Sequence, residues 1–536
     1  MKTILKNGKI YIEKGNFQEA ILIEDGTINQ VGSNDLILGH DADKIIDLEG
    51  KTVLPGFNDS HLHLTLVGES MNSFDLTSAR SIEEIIETGK KFLEKHKDAR
   101  AIYARGWNQD YFVSGGKRMP DRTDLDRIST EIPVALERVC THVVVGNTKA
   151  IEAACIDKDT LIEGGEIEIG SDGKPNGIFK ETAVRLIKAA IPEKDKKEIE
   201  KEFLLAANYA LSVGVTSVQS CDILNNDSEK MFQVIHEIYD KKKVKLRYRH
   251  QFNFKNVEDF REYIGTEYRT GKYDEKFLSR GSLKLFKDGS LGARTAYLSR
   301  DYEDAPGTKG VEALSDELLQ DFCDAAAEQG IQVLVHAIGD AAAESAINAF
   351  EKTMKEGKNY LRHGIVHCQI TNAEQLKRIA KLDISVFYQP IFLDYDIQIA
   401  EARVGRDLAS TSYAFNTLNR LGAPLSFGTD SPVENCNPFP NIYCAVTRQR
   451  MDGTPEGGFF PEERMSIEDA VDAYTYGSAY NEFKEGFKGR LKPGYAADLV
   501  VLSRDIFTIE ENGIKDIEVE KTMVDGEFVY EKDAAN

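Results

Sequence analysis

The segment PGFNDSHLH, residues 55–63, ends an apolar run and is the first of five segments that decide the fold. The others follow in chain order: LKLFKDGS at 283–290, VLVHAIGD at 333–340, IVHCQ at 365–369 and FGTDSP at 427–432. Each joins a short apolar run to histidine, lysine or aspartate near its carboxyl end. One such segment is ordinary, whereas five in sequence predict strands that deliver these side chains to one shared site.

The central region alternates such apolar runs with amphipathic helical patterns. In residues 316–329, apolar side chains recur on one helical face, and Gly330 suits the helix end. Eight strands alternating with helices predict an α/β fold with a parallel (β/α)8 barrel, the TIM barrel. The predicted strands cover residues 53–60, 215–221, 245–253, 282–287, 331–336, 363–368, 383–389 and 424–428.

Both ends of the chain carry hairpin signals, because Asn-Gly or Asp-Gly pairs lie there between β-branched runs. Neither end is long enough to bury its own core, so residues 1–53 and 488–536 are expected to form one small composite β-sandwich domain. The barrel domain then covers residues 54–487. Residues 66–197 are too long for one crossover and are expected to be an insertion after the first barrel strand.

The composition is that of a soluble globular protein with more than one domain. The chain has 536 residues, of which 41% are hydrophobic and 29% charged, and its formal net charge is -22. Such an acidic surface repels polyphosphate backbones, so a nucleic-acid partner is not expected. Seven cysteines without CxxC spacing argue against a disulfide framework and for a reducing compartment.

The start of the chain, MKTILKNGKIYIEKG, has no apolar run long enough for a signal peptide. No stretch approaches the ~20 apolar residues of a membrane span. We therefore expect a cytoplasmic protein that acts on a small molecule away from membranes. The sequence leaves the oligomeric state open, with a homodimer as one candidate.

His61 and His63 are the first candidate metal ligands. Residues two apart in a strand face the same way, so both imidazoles point into one volume at a strand's carboxyl end. Two solvated loop histidines would give the same HxH pattern. A divalent cation needs several convergent donors, and the remaining segments supply them.

Lys284, in SLKLF, is the unusual candidate, because an amine in a barrel wall is costly to desolvate. A buried lysine with a depressed pKa can be neutral, and a neutral amine can add carbon dioxide to form an anionic carbamate. A snorkelling or salt-bridged lysine is the commoner alternative. Lys287 faces the other side of the strand and ranks second.

His336, His367 and Asp430 end three later strands. Each histidine alone could be a satisfied core residue, and GTDSP alone could be a simple turn. At equivalent strand ends the three become candidate ligands, and Asp430 can also accept a proton from a metal-bound water. His363 lies nearer its strand start and is interpreted as structural.

With these positions placed, the chain resembles the amidohydrolase superfamily. Within it, the chain is most similar to the branch called amidohydrolase family three, which includes N-substituted formamide deformylase-like enzymes. The resemblance spans most of the chain and rests on the strings LPGFNDSHLH, LKLFKDGSLGARTA, VHAIGDAA, RHGIVHCQ, SFGTDSPV and GRLKPGYAADLVVLS.

The resemblance implies a binuclear zinc-type centre. His61, His63 and Asp430 would hold one divalent ion, and His336 with His367 would hold the second. Carboxylated Lys284 and a hydroxide would bridge the two ions.

The expected reaction is metal-assisted hydrolysis of a non-peptide C–N bond in an amide-type small molecule, with a metal-activated hydroxide as nucleophile. Asp430 would take the proton and pass it to the leaving nitrogen. His142 is a candidate to bind the substrate carbonyl or the oxyanion, although a lone histidine is often structural. Candidate substrate contacts, each with a structural alternative, are Trp107, Tyr111, Phe112 and Arg294.

Two other functions stay open. A mononuclear deaminase of the same superfamily shares HxH and the aspartate but does not use the strand lysine, so Lys284 argues against it. Missing metal ligands would indicate a non-catalytic barrel scaffold, but all six candidate ligands are present in this sequence.

Overall fold

The computed structural model describes residues 1–114, 116–138, 140, 142–224 and 228–532. The chain forms two compact units, one from Met1–Leu66 with Phe203–Asn536 and the other from Val67–Glu202. The first unit contains a parallel barrel and two further sheets, and the second has a sheet and a core of its own.

Eight parallel strands form the barrel, and each of the first seven pairs with the next barrel strand along the chain. This arrangement confirms the predicted (β/α)8 barrel. In chain order the barrel strands are Phe57–Leu62, Val215–Leu224, Arg247–Asn253, Leu278–Phe286, Val333–Ala337, Gly364–His367, Ser385–Tyr388 and Leu425–Phe427.

The end of the eighth strand closes against the first. A Cβ on Gly428 would come 2.7 Å from the backbone nitrogen of His61, so only glycine permits this approach. Just beyond it, the Asp430 amide donates to the His61 carbonyl at 2.8 Å, and the His63 amide donates to Ser431 at 2.8 Å. These bonds carry the end of the eighth strand to the two histidines of the first.

Amphipathic helices return the chain between barrel strands. Helix Asp316–Glu328 begins at Ser315, whose side chain accepts from the Leu318 amide, and it buries Phe322 among other apolar residues. The other helices of eight or more residues lying wholly within this unit are Ser228–Asp240, Asp340–Thr353, Ala373–Lys381, Ala400–Ala409 and Pro438–Thr447.

Shorter helical segments complete the connections of the first unit. They include two π-helical turns, Ile264–Tyr268 and Ala473–Gly477. The remaining segments are Asn34–Ile37, Val257–Tyr263, Pro390–Phe392, Leu393–Asp396, Phe415–Leu421, Pro461–Glu463, Ile467–Asp472, Ser478–Asn481 and Glu511–Asp516.

Strands from both chain ends share a six-stranded sheet, in which Leu499–Leu502 pairs antiparallel with Thr52–Pro55. Apolar side chains of this sheet and of a four-stranded sheet form one buried cluster that includes Leu5, Ile21 and Met523. In spatial order the larger sheet is Glu527–Glu531, Val519–Val524, Leu499–Leu502, Thr52–Pro55, Lys9–Glu13 and Asn16–Gln18, and the smaller is Thr27–Gly32, Ala20–Glu24, Lys2–Lys6 and Lys44–Asp47.

The second unit folds around a five-stranded sheet. Helices Leu64–Met71 and Lys196–Ser212 connect it along the chain to the first unit. The strands in spatial order are Gly165–Ile169, Pro175–Glu181, Val143–Gly146, Val134–Arg138 and Ile102–Trp107, and the helical segments are Ile82–Lys95, Gln109–Tyr111, Arg122–Asp126, Thr148–Ala153 and Val184–Lys188. Within the described part of the chain, no helix has both the length and the apolar character to cross a membrane.

Candidate metal centre

All six predicted ligands lie at the carboxyl ends of barrel strands. His61 is in the first strand and His63 follows it, Lys284 is in the fourth, His336 in the fifth and His367 at the end of the sixth, and Asp430 follows the eighth. Parallel strands share one polarity, so their carboxyl ends form one rim of the barrel.

The first group of donors consists of His61, His63 and Asp430. One ligand atom from each lies within 4.8 Å of the others. Both histidine Nε2 atoms are 3.4 Å from the same carboxylate oxygen of Asp430. Two nitrogens and one oxygen that face one another are a donor set that suits Zn²⁺.

His336 and His367 form the second group. Their ring centroids are 4.4 Å apart, and the centroid of His367 is 5.9 Å from that of His61. The two groups therefore adjoin at one rim, as two neighbouring ion sites would require.

Hydrogen bonds determine which nitrogen of His61 and His63 is free. Nδ1 of His61 is 2.6 Å from the Gln251 side-chain oxygen, and Nδ1 of His63 is 2.9 Å from the Cys221 carbonyl. Both partners can only accept, so each Nδ1 carries the proton and donates. Nε2 of each ring faces Asp430, 3.4 Å from the same carboxylate oxygen, and is the nitrogen left for an ion.

The second pair is held in the same way. Nδ1 of His367 donates to the Gln389 side-chain oxygen at 2.7 Å, which leaves Nε2 free. Nε2 of His336 donates to the Gly289 carbonyl at 3.0 Å, which leaves Nδ1 free. All four imidazoles thus have one nitrogen fixed as a donor and one available to a cation.

Burial and charge reinforce this state. Burial lowers the pKa of His61 and of His367 well below the ordinary value, so both rings are neutral and able to ligate. Burial opposes ionisation of Asp430, but the His63 hydrogen bond and neighbouring imidazoles outweigh it and hold its pKa below the usual range. At His63, burial opposes protonation, but the hydrogen bond to Asp430 and its charge outweigh burial and raise the pKa of this ring.

Lys284 is fully buried, and its Nζ has no hydrogen-bond partner among the described residues. Burial lowers its pKa from an ordinary 10.5 to about 8. Nζ lies 3.8 Å from the centroid of the Phe286 ring. Burying an amine without a hydrogen-bond partner costs folding free energy. Lys284 therefore fits a group that interacts with a further component when that component is bound at the site.

Two aromatic rings border the second group. The ring of Phe392 is parallel within 14° to that of His367, with centroids 5.7 Å apart. The centroid of Phe286 is 5.6 Å from that of His336. These rings place apolar surface next to the ligands, which favours exclusion of water.

Two neighbouring residues have internal partners. Lys287 is fully buried but donates to the Leu314 carbonyl and to Asp316, both at 2.6 Å. His363 accepts from the Val333 amide at 2.9 Å. Lys284 is therefore the lysine of this strand that is left without a hydrogen-bond partner in the described structure.

Arg294 belongs to the first unit and is paired. Its guanidinium donates to both carboxylate oxygens of Asp304, at 3.1 and 2.9 Å. Of the two roles predicted for Arg294, this geometry shows pairing with an internal acid.

The other candidate substrate residues belong to the second unit. Trp107 is fully buried in its hydrophobic core and donates to the Leu136 carbonyl at 2.9 Å, and Phe112 joins the same cluster. Tyr111 is exposed. His142 is also exposed, and its Nδ1 is 2.9 Å from a Glu181 oxygen.

Several residues that contact the ligands were not predicted from the sequence. Gln251 and Gln389 orient imidazoles, and buried Asp288 accepts from the Ile338 and Gly339 amides at 3.0 and 2.7 Å, beside His336. Glutamine on a strand gives no distinctive signal. Asp288 lies in FKDGS, and its place after the lysine strand was the only available indication.

The chain is similar to known proteins over nearly its whole length. The sequence model of the amidohydrolase family matches residues 44–530. The chain is 32% identical to the putative amidohydrolase YtcJ of Bacillus subtilis, over 99% of this chain and 100% of that protein. It is 24% identical to the N-substituted formamide deformylase of Arthrobacter pascens, over 96% and 95%. A solved structure of an uncharacterized metal-dependent hydrolase from Pyrococcus furiosus superposes with a TM-score of 0.78 at 31% identity, covering 95% of this chain and 100% of that one.

Proposed function

We propose, from the premise that this chain belongs to the amidohydrolase family of metal-dependent hydrolases, that it cleaves an amide-type C–N bond other than a peptide bond in a small molecule. One observation carries the proposal. Four imidazoles, each with one nitrogen available to an ion, adjoin an ionised Asp430 and Lys284 at one rim of the barrel, and among the described residues Nζ of Lys284 has no hydrogen-bond partner.

The proposed cofactors are two divalent ions, for which zinc suits the nitrogen-rich donors. His61, His63 and Asp430 would hold one ion, and His336 and His367 the other. Neutral Lys284 would form a bond from Nζ to the carbon of carbon dioxide and release one proton. The resulting carbamate would supply two oxygens that share one negative charge, and the absence of a hydrogen-bond partner for Nζ in the described structure supports this role.

When bound, the ions would polarise the substrate carbonyl and lower the pKa of a water molecule from 15.7 towards about 7. Asp430 is ionised at neutral pH, so it can accept the proton of the attacking water. It then donates that proton to the leaving nitrogen, because an amide anion is too basic to depart unprotonated. Phe286 and Phe392 keep the surroundings of this transfer apolar.

Metal content tests the proposal most directly. Protein purified without chelator is expected to hold near two divalent ions per chain, and His61→Asn should hold fewer. His363→Asn is the matched control, since this buried histidine contacts a backbone amide instead of the centre. Atomic emission measurement of the purified proteins gives the counts.

Other metal counts would contradict the proposal in distinct ways. One ion per chain would favour the mononuclear deaminase, and none would favour a barrel scaffold. A screen of N-acyl, N-formyl and cyclic amides with metal-replete protein then identifies the substrate class. Deamination without amide hydrolysis in that screen would overturn the proposed reaction.

His142 is proposed to bind the substrate carbonyl. If so, His142→Asn should lower kcat/KM by about 10²-fold, the loss expected for one oxyanion donor, with metal content unchanged. His96→Asn, another histidine of the second unit, is the control. If His142→Asn and the unaltered protein have equal kinetics, His142 does not bind the substrate and its role is limited to the contact with Glu181.

A further inference from the structure

The four histidines of the centre divide by the kind of acceptor that holds them. His63 and His336 donate to backbone carbonyls, of Cys221 and Gly289. His61 and His367 donate to side-chain amides, of Gln251 and Gln389. Each predicted ion site therefore has one histidine held by the backbone and one held by a glutamine.

The two glutamines are buried, and they lie in or directly after barrel strands. Gln251 is in the third barrel strand and is fully buried, and Gln389 follows the seventh strand and is 3% exposed. Neither belongs to a predicted ligand set. Both are close to the imidazole they hold, at 2.6 and 2.7 Å.

A second bond fixes the orientation of each amide. The nitrogen of Gln251 donates to the Ser60 carbonyl at 3.1 Å, and that of Gln389 donates to the Phe387 carbonyl at 3.0 Å. Rotating either amide by half a turn would set an oxygen against a carbonyl and an NH₂ group against a protonated imidazole nitrogen. Only the oxygen can therefore face the ring.

We propose that Gln251 and Gln389 are positioning residues that keep the proton of His61 and His367 on Nδ1 and so reserve Nε2 for the ions. The inference deepens the proposed function and rests on it. Each glutamine acts on one ion site, Gln251 on that of His61 and Gln389 on that of His367.

The test compares three glutamine variants in the metal-loaded protein. Gln251→Met and Gln389→Met remove the acceptor at similar volume. Gln219→Met is the matched control, because Gln219 is equally buried in a barrel strand and donates to the Ser478 carbonyl, with no hydrogen bond to a histidine among the described residues. Ion retention against graded chelator is the first readout, and ¹⁵N spectra of labelled imidazoles are the second.

Loss of an outer partner typically weakens metal binding 10–100-fold. Gln251→Met and Gln389→Met are each expected to weaken the binding of one ion by about that factor. Gln219→Met is expected to retain both ions. In the metal-free variants, the ¹⁵N signals should show the proton shared between both nitrogens of His61 in Gln251→Met and of His367 in Gln389→Met. Gln251→Glu, protonated on the oxygen that faces Ser60, keeps both bonds and should restore retention.

The outcomes separate this inference from the proposed function. If the unaltered protein holds no ion, the proposed function fails. If it holds two ions and the methionine variants hold both as tightly, or if Gln251→Glu loses as much as Gln251→Met, the positioning role is overturned. Equal losses in Gln219→Met would also overturn it, because the effect would then be one of packing.

Discussion

Asp430→Asn is expected to lower kcat by about 10³-fold, within the range for loss of a general acid–base group. Asparagine keeps an oxygen for the ion but cannot accept the proton of the attacking water. The backbone at Asp430 is left-handed, with φ of 55°, and asparagine tolerates this conformation well. The variant should therefore fold, and a loss of kcat would then report on proton transfer instead of backbone strain.

The variant needs a metal count and a control, because Asp430 is also a proposed ligand. Asp340→Asn is a suitable control: Asp340 is buried after the fifth strand but bonds to Ser299 outside the ligand set. We expect it to retain both ions and normal turnover. Near-normal kcat in metal-replete Asp430→Asn would exclude the proton-transfer role.

The barrel was predictable because parallel strands are buried on both faces and appear as apolar runs. The strand containing His336 is an example: IQVLV is apolar at four of five positions, and the observed strand is Val333–Ala337. The HxH parity rule likewise predicted that His61 and His63 point into one volume, and both lie 3.4 Å from Asp430.

Contacts between residues far apart in the chain could not be predicted from the sequence. Gln251 meets His61 from 190 positions away, and nothing in YRHQF distinguishes it from a packing residue. Strand parity separated Lys287 from Lys284, but the partners of Lys287 include Leu314 and Asp316, just before and at the start of a later helix. The string PVALERVCTHVVVGN, residues 133–147, favours strand within the insertion, and the structure has two strands there, Val134–Arg138 and Val143–Gly146.

Lys284→Met is expected to remove most of kcat and at least one ion while making the metal-free protein more stable. Methionine fills the same space without a charge and cannot form a carbamate. The lowered pKa of Lys284, about 8 against 10.5, means that its protonated form costs about 3 kcal/mol in the folded protein. Chemical denaturation of the metal-free proteins near pH 7 measures this gain directly.

The sign of the pH dependence offers a further check. Below pH 8 the amine is protonated in both folded and unfolded chains, so its full cost is present. Between pH 8 and 10.5 the unfolded chain holds a proton that the folded chain has released, so stability from this group rises with pH. The stability difference between Lys284→Met and the unaltered protein should therefore shrink across that window.

Carbamate formation is tested in the metal-loaded protein with ¹³C-bicarbonate. A carbamate ¹³C signal is expected in the unaltered protein and absent in Lys284→Met, whereas Lys287→Met, if it folds, should keep the signal. An unchanged signal in Lys284→Met would place the carbamate elsewhere. Full turnover of Lys284→Met would mean that the buried amine binds neither ion. Its burial without a hydrogen-bond partner in the described structure would then need another explanation.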